Sequence, residues 1–221
     1  MNSSTFTTDV DSRQVRVIKV GGSLFTLPDL KQRLVDWART IADDRFVNVW
    51  IVGGGGFVNE VRKWQSLHSL EPDLAHQFSV NLMSQTAALF QAMFIDWPLL
   101  SDIQQLGQEE LIATPNVVFD CCHWALNTAA LERTWKTTSD SISLQVAIAV
   151  GASQLFLLKS KSPKSDQIAE AIQAGLIDQN FAAGCNEESG LRGSTVNRKK
   201  SQLRALIVNL RESEAAVEMF W

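Results

Sequence analysis

Val17-Ile18-Lys19-Val20-Gly21-Gly22-Ser23 and Val49-Trp50-Ile51-Val52-Gly53-Gly54-Gly55-Gly56 decide how this chain folds. Each is a short apolar run rich in β-branched residues, stopped by glycines. Each leads into a segment with apolar residues at helical spacing. Glycine where a strand turns into a helix lets backbone N–H groups approach a ligand closely. The start of the helix that follows favours anions. Lys19 adds a positive charge one residue before the end of the first run. Two such turns predict a site that grips two anionic groups at once, the geometry that phosphoryl transfer needs.

Outward from these turns the chain alternates. Strands are expected over 15–20, 46–52, 117–119, 154–158 and 205–210, with 111–113 as a further short candidate. Helices are expected over 27–42, 56–67, 72–94, 123–131, 138–150 and 165–174. Thr26 caps the first of them with Pro28 in its first turn, and Ser139 caps the helix over 138–150. The polar, glycine-containing stretch 183–200 reads as a loop. The alternation predicts an α/β fold with a mainly parallel sheet covered on both faces. Ligands of such sheets sit beyond the carboxyl ends of the strands. Gly21, Gly22 and Ser23, the four glycines 53–56, and Lys159 with Ser160 all fall at such ends.

The 221 residues suffice for one domain, expected over 15–221 behind a disordered lead-in over 1–14. A net charge of -4 argues against a broad nucleic-acid surface. No apolar run reaches the roughly 20 residues of a membrane span, and the first residues lack the pattern of a signal peptide. Cytoplasmic residence, with no nucleic-acid or membrane partner, is the expectation. Cys121, Cys122 and Cys185 form neither a disulfide framework nor a metal-ligand spacing. No metal-ligating residues are assigned, and His68, His76 and His123 read as surface or packing residues.

Neither glycine turn matches GxxxxGK[ST] or GxGxxG, which disfavours a P-loop or a dinucleotide site. Lys19 is either a solvated strand-end lysine or a charge clamp on a transferred phosphoryl group; the adjacent Gly-Gly-Ser favours the clamp. Four consecutive glycines exceed what a tight turn needs and favour an anion cradle. Trp135-Lys136-Thr137-Thr138-Ser139-Asp140-Ser141-Ile142 has two readings. Ser139 and Asp140 serve a helix start, or the hydroxyls and the carboxylate hold lysines or a metal–phosphate complex. Lys159 ends an apolar strand and, with Lys161 and Lys164, forms a basic cluster suited to ATP phosphates.

Lys19-Val20-Gly21-Gly22-Ser23, Val52-Gly53-Gly54-Gly55-Gly56, Ser139-Asp140-Ser141 opening a helix, and Gly151-Ala152 before the strand over 155–158 run in an order that resembles the amino acid kinase superfamily. That superfamily includes aspartate, acetylglutamate and uridylate kinases. The short chain, the segment 135–142, Ala75-His76 and the run from Gly175 to Phe181 look most like one small branch. It contains the aminomethylfuran-methyl phosphate kinase of methanofuran biosynthesis and bacterial relatives of tetrahydromethanopterin-linked C1 metabolism. The resemblance implies a three-layer αβα sandwich, ATP and Mg as cofactors, a small anionic acceptor and a homodimer. It implies that Lys19 contacts the transferring phosphoryl group. Gly21, Gly22 and Ser23 would cradle the donor phosphates, with Lys159, Ser160 and Lys161 beside the nucleotide. Gly53, Gly54, Gly55 and Gly56, with Ser139, would hold the acceptor. Asp140 would orient the lysines. The late lysine segment usual in the superfamily has no equivalent, although Arg192, Lys199 and Lys200 lie in roughly that region; Lys159 is the choice for the second catalytic charge. The expected function is an ATP-dependent kinase acting on a small phosphate or carboxylate, in C1-cofactor biosynthesis. The alternative is a non-catalytic sensor of nucleotides or small anions. The apolar end from Val217 to Trp221 is either dimer surface or an edge strand.

Overall fold

The structure is a computed structural model that describes residues 13–107, 114–182, 203–212 and 217–219. Seven strands form one sheet: β1 (Gln14–Val20), β2 (Phe46–Val52), β3 (Leu99–Leu100), β4 (Asn116–Phe119), β5 (Gln154–Lys159), β6 (Arg204–Asn209) and β7 (Val217–Met219). The strand order is β3-β4-β2-β1-β5-β6-β7, and every pairing is parallel except β6 with β7. Six helices connect them: α1 (Leu30–Thr40), α2 (Gly55–His68), α3 (Pro72–Met93), α4 (Cys122–Asn127), α5 (Ser139–Ala149) and α6 (Ile168–Gln173).

The central strands are apolar because both faces are covered. On one face Val17, Val49, Leu155 and Leu157 pack against α4, α5, α6 and the first half of α3. On the other, Ile18, Val20, Trp50 and Phe156 pack against α1 and the second half of α3. Trp37, Trp50, Phe90, Phe94 and Trp97 make a run of aromatic contacts in this second layer. The architecture is the expected three-layer αβα sandwich.

The pleat matters for function. Successive side chains of a strand point to opposite faces, so Lys19 shares a face with Val17, and Lys159 shares a face with Leu155 and Leu157. Lys19 pairs in register with Leu157 of β5, two residues before Lys159. Both lysines therefore look toward the layer that contains α5.

Several boundaries differ from expectation. The first helix begins at Leu30 with Asp29 as its cap, because residues 22–26 form a 3-10 turn instead. Thr26 belongs to that turn, and its hydroxyl donates to the Ser23 carbonyl at 2.9 Å. Thr138, not Ser139, caps α5; its Oγ1 accepts from the Asp140 amide at 3.4 Å. The helix expected over 123–131 is the shorter α4. Strand β3 was not anticipated, since two residues are too few to show a period. Val217–Met219 is an edge strand whose Met219 is buried against its own sheet, so this part of the apolar end is not free surface. Gln14, placed in the lead-in expected over 1–14, already belongs to β1; residues 1–12 of that lead-in, the strand candidate 111–113 and the loop 183–200 lie outside the described residues. Among the described residues no helix is long and apolar enough to cross a membrane.

Candidate active site

The two glycine turns lie against each other at the carboxyl ends of β1 and β2. A Cβ on Gly22 would fall 2.3 Å from the Gly55 nitrogen and 2.5 Å from its Cα. Gly55 has φ of 60°, a conformation that only glycine takes at no steric cost. A Cβ on Gly54 would strike Val58 at 2.3 Å, whereas one on Gly56 would meet nothing within 4 Å. Close packing thus requires most of these glycines: Gly22 against Gly55 of the other turn, Gly54 against Val58 of its own helix, and Gly53 against the Ser139 side chain, which a Cβ would approach to 2.8 Å.

Two of the predicted cradle residues have committed amides. Gly21 N–H donates to the Leu158 carbonyl at 2.9 Å and Gly53 N–H to the Val20 carbonyl at 3.0 Å. These two glycines extend the sheet and permit close packing; a Cβ on Gly21 would sit 2.7 Å from the Leu158 oxygen. The expectation that their N–H groups hold ligand phosphates is corrected accordingly. Helix α2 starts at Gly55 behind Gly54 with no side-chain cap, which leaves its first-turn amides without a side-chain acceptor, and Gly54, Gly55 and Gly56 line the cavity that opens between the turns.

Beneath the turns lies a buried charge cluster. Lys19, Asp140 and Lys159 are 4%, 4% and 8% exposed. Lys19 Nζ lies 2.7 Å from Asp140 Oδ1, and Lys159 Nζ lies 2.6 Å from Asp140 Oδ2. Lys159 also donates to the Leu176 carbonyl at 2.7 Å. Burial pushes the Asp140 carboxyl up, but the two ammonium groups override it and hold the pKa at about 2. Burial pulls Lys159 down to about 8, against the opposing pull of Asp140. Neither lysine is the solvated strand end of the plainer reading. The cluster carries two positive charges and one negative, so it presents a net positive charge at the sheet edge.

A cavity of about 360 Å³ opens between the turns, lined at one end by Gly22, Ser23, the four glycines and Ser139. Its far end is built from α2, α3 and the segment before α5. Val58, Val80, Met83 and Ile142 give it apolar walls. Trp135 closes one side; its Nε1 donates to Gln65 Oε1 and the Arg62 guanidinium lies 4.6 Å over its ring. His76 is 3% exposed, lines the cavity, and has no hydrogen-bond partner for either ring nitrogen. Burial lowers its pKa and keeps the ring neutral; the nearby Thr137 backbone opposes part of that shift without making a bond of hydrogen-bond geometry. A neutral imidazole offers one donor and one acceptor to whatever occupies the cavity.

Ser23 Oγ and Ser160 Oγ are 3.0 Å apart, which joins the first turn to the end of β5. Lys161 and Lys164 are exposed whereas Lys159 is buried, so the expected basic cluster divides: Lys159 goes inward and the other two outward. His76 is buried on α3, as the packing reading has it, and it also lines the cavity. The signal was present, since Ala75, His76, Ser79, Val80 and Met83 recur at helical spacing on the buried face of α3. Arg62 carried no local signal, and Asp178 stood out only as part of the run from Gly175 to Phe181 that the resemblance covers, with no role attached to it. Among the described residues no group of three or more His, Cys, Asp or Glu side chains could hold a metal ion.

No protein-family model matches the chain. It is 23% identical over 210 residues to the [5-(aminomethyl)furan-3-yl]methyl phosphate kinase of Methanocaldococcus jannaschii, covering 93% of this chain and 92% of that protein. The crystal structure of UMP kinase from Ureaplasma parvum superposes with a TM-score of 0.59 at 12% identity, covering 91% of this chain and 92% of that one. Aspartate kinase from Synechocystis superposes with a TM-score of 0.62 at 14% identity, covering 93% of this chain and 39% of that one. The sheet order and these likenesses together show that the chain has the fold of the UMP kinase and aspartate kinase structures.

Proposed function

We propose that this protein is a phosphotransferase that moves the γ-phosphoryl group of ATP to a small acceptor bearing a phosphate or carboxylate. The observation that carries the reading is the buried Lys19–Asp140–Lys159 cluster, at the carboxyl ends of β1 and β5, beneath two facing glycine turns. Such a transfer needs positioning and charge neutralisation more than covalent chemistry. Lys19 and Lys159 neutralise charge that develops on the transferring group, and Asp140 holds their ammonium groups in place. Gly22 and Ser23, with Ser160, face the donor phosphates. The first turn of α2 and Ser139 receive the acceptor.

The acceptor end of the cavity is specific in character. A hydrogen bond from or to neutral His76 and a charge from Arg62 suit an anionic or polar group. Trp135, Val80, Met83 and Ile142 suit a flat apolar body attached to it. The curated relative's name describes an acceptor of this kind, a phosphate on a methyl group of a furan ring, and the resemblance read from the sequence would place such an acceptor in C1-cofactor biosynthesis. Mg²⁺ bound with the nucleotide would supply further charge neutralisation. In this reading the metal would be held chiefly by substrate phosphates and water.

The test is ADP formation by the purified protein with Mg-ATP and a panel of small phosphates and carboxylates, including furan and pyrimidine monophosphates. Lys19→Ala should lower kcat by about a hundredfold or more, as loss of a preorganised charge does, and leave ATP affinity within about threefold. A protein that binds ATP and makes no ADP with any acceptor is a sensor, and the kinase reading falls.

A further inference from the structure

Residues 175–180, which follow α6, touch the charge cluster from outside both glycine turns. Gly175 has φ of 66° and turns the chain back toward α5. Leu176 then presents its carbonyl to Lys159 Nζ at 2.7 Å. Two residues later the Asp178 carboxylate accepts from Thr138 N–H at 2.8 Å, Thr138 Oγ1 at 2.8 Å and Ser141 N–H at 3.0 Å. The Ser141 hydroxyl donates to its other oxygen. Asn180 completes the contact: its N–H donates to the Lys136 carbonyl at 3.0 Å, and its side chain donates to Thr137 Oγ1 at 2.9 Å.

This arrangement relieves α5 of a task. The first amides of a helix need acceptors, and an acidic residue in the first turn commonly serves them. Asp140 is the acidic residue in the first turn of α5. Thr138 serves the Asp140 amide weakly, at 3.4 Å. Asp178, reaching in from another part of the chain, binds the residues that flank Asp140, at Thr138 and Ser141. Both oxygens of Asp140 are then free to face Lys19 and Lys159.

We propose that Asp178 is a positioning residue for the reaction centre: its carboxylate fixes the start of α5 so that Asp140 spans the two lysines, while the Leu176 carbonyl of the same loop orients Lys159. An ordinary helix cap supplies one acceptor to one amide. Asp178 meets four donors, and its loop also touches a lysine of the cluster. The catalytic part of this inference rests on the kinase reading; the geometric part does not.

The experiment separates the two. Asp178→Ala and Asp178→Asn are compared with the unaltered protein after thermal melting shows each folded at the assay temperature. Amines are labelled briefly with an acylating reagent, and Lys159 is quantified by mass spectrometry against Lys161, which is exposed. Lys159 should label at least about tenfold faster in Asp178→Ala, because the carbonyl and carboxylate that hold it loosen locally. Asn keeps the shape and one acceptor oxygen, so Asp178→Asn should fall between. Where ADP is formed, kcat should drop about tenfold or more, because small misplacement of reacting groups costs rate, with both KM values within about threefold. In a Lys159→Ala background the same change should add less than about twofold, since the two act through one cluster. Unchanged Lys159 labelling in both variants overturns the positioning role whether or not ADP is made. Absence of ADP in the unaltered protein, with labelling behaving as expected, overturns the kinase reading and leaves the geometric role standing. Should Asp178→Ala melt too low to assay, Asp178→Asn carries the decision.

Discussion

Asp140→Asn removes the negative charge between two buried ammonium groups while keeping the side chain's size. The attraction lost is large. At contact distances of 2.7 Å and 2.6 Å, Coulomb's law with an effective dielectric constant of about 20 gives roughly 6 kcal/mol per contact. In the intact cluster most of this offsets the desolvation of three charges, several kcal/mol each. Removing the middle member leaves Lys19 and Lys159 desolvated, unpaired and mutually repelling. Breaking a buried ion pair in this way costs about 3–5 kcal/mol, a sizeable share of a total stability of about 5–15 kcal/mol. At about 2–4 °C per kcal/mol for a chain of this length, Tm should fall by roughly 6–20 °C at pH 7. The variant has one escape. A buried lysine can shed its proton, at a cost of about 1.4 kcal/mol for each pH unit below its unfolded pKa. That cost shrinks as pH rises, so the gap in Tm should narrow between pH 7 and pH 9.5. Thermal melts of both proteins by circular dichroism at the two pH values are the assay. A variant that melts within about 2 °C of the unaltered protein at pH 7 would refute the reasoning, because the cluster would then be hydrated or otherwise compensated.

Two other predictions concern the same region. Lys159 is pushed down to about 8 from its ordinary 10.5, so kcat should decline as pH rises through about 8, as its charge is lost; a profile flat past pH 9.5 would remove Lys159 from the chemistry. Its effect on stability has the opposite sign: the unfolded chain binds the extra proton between pH 8 and 10.5, so this group's burial cost is full below pH 8 and fades as pH climbs, measurable by urea unfolding. Gly22→Ala would drive a Cβ into the Gly55 backbone, and should cost about 1–3 kcal/mol or more through overpacking and weaken ATP binding. Gly56→Ala, at an open position in the first turn of α2, should be neutral or stabilising by up to about 1 kcal/mol; equal melting of the two variants would mean that the turns do not pack as described.

What the sequence determined by itself was local. Alternating apolar strands and amphipathic helices specified a parallel sheet covered on both faces, and the glycines after β1 and β2 marked its functional edge. Strand parity sets Lys19 on one face with Val17 and Lys159 on one face with Leu155 and Leu157, but that these are the same face of the sheet took the register of β1 against β5. Two decisions were made only by the tertiary structure. Strand order is set by which faces can be buried together, and it laid β5 beside β1, bringing Lys159 to Asp140 and Lys19 from distant parts of the chain. Tertiary packing made Gly22 and Gly55 a requirement of one turn lying on the other, and strand pairing drew the Gly21 and Gly53 amides into the sheet. Asp178 and Arg62 acquired their partners in the same way, from segments far along the chain, so no spacing in the sequence could signal them. Local signals record what a residue does within its own helix or strand; a charge cluster assembled from β1, α5, β5 and the loop after α6 exists only once the sheet has brought them together.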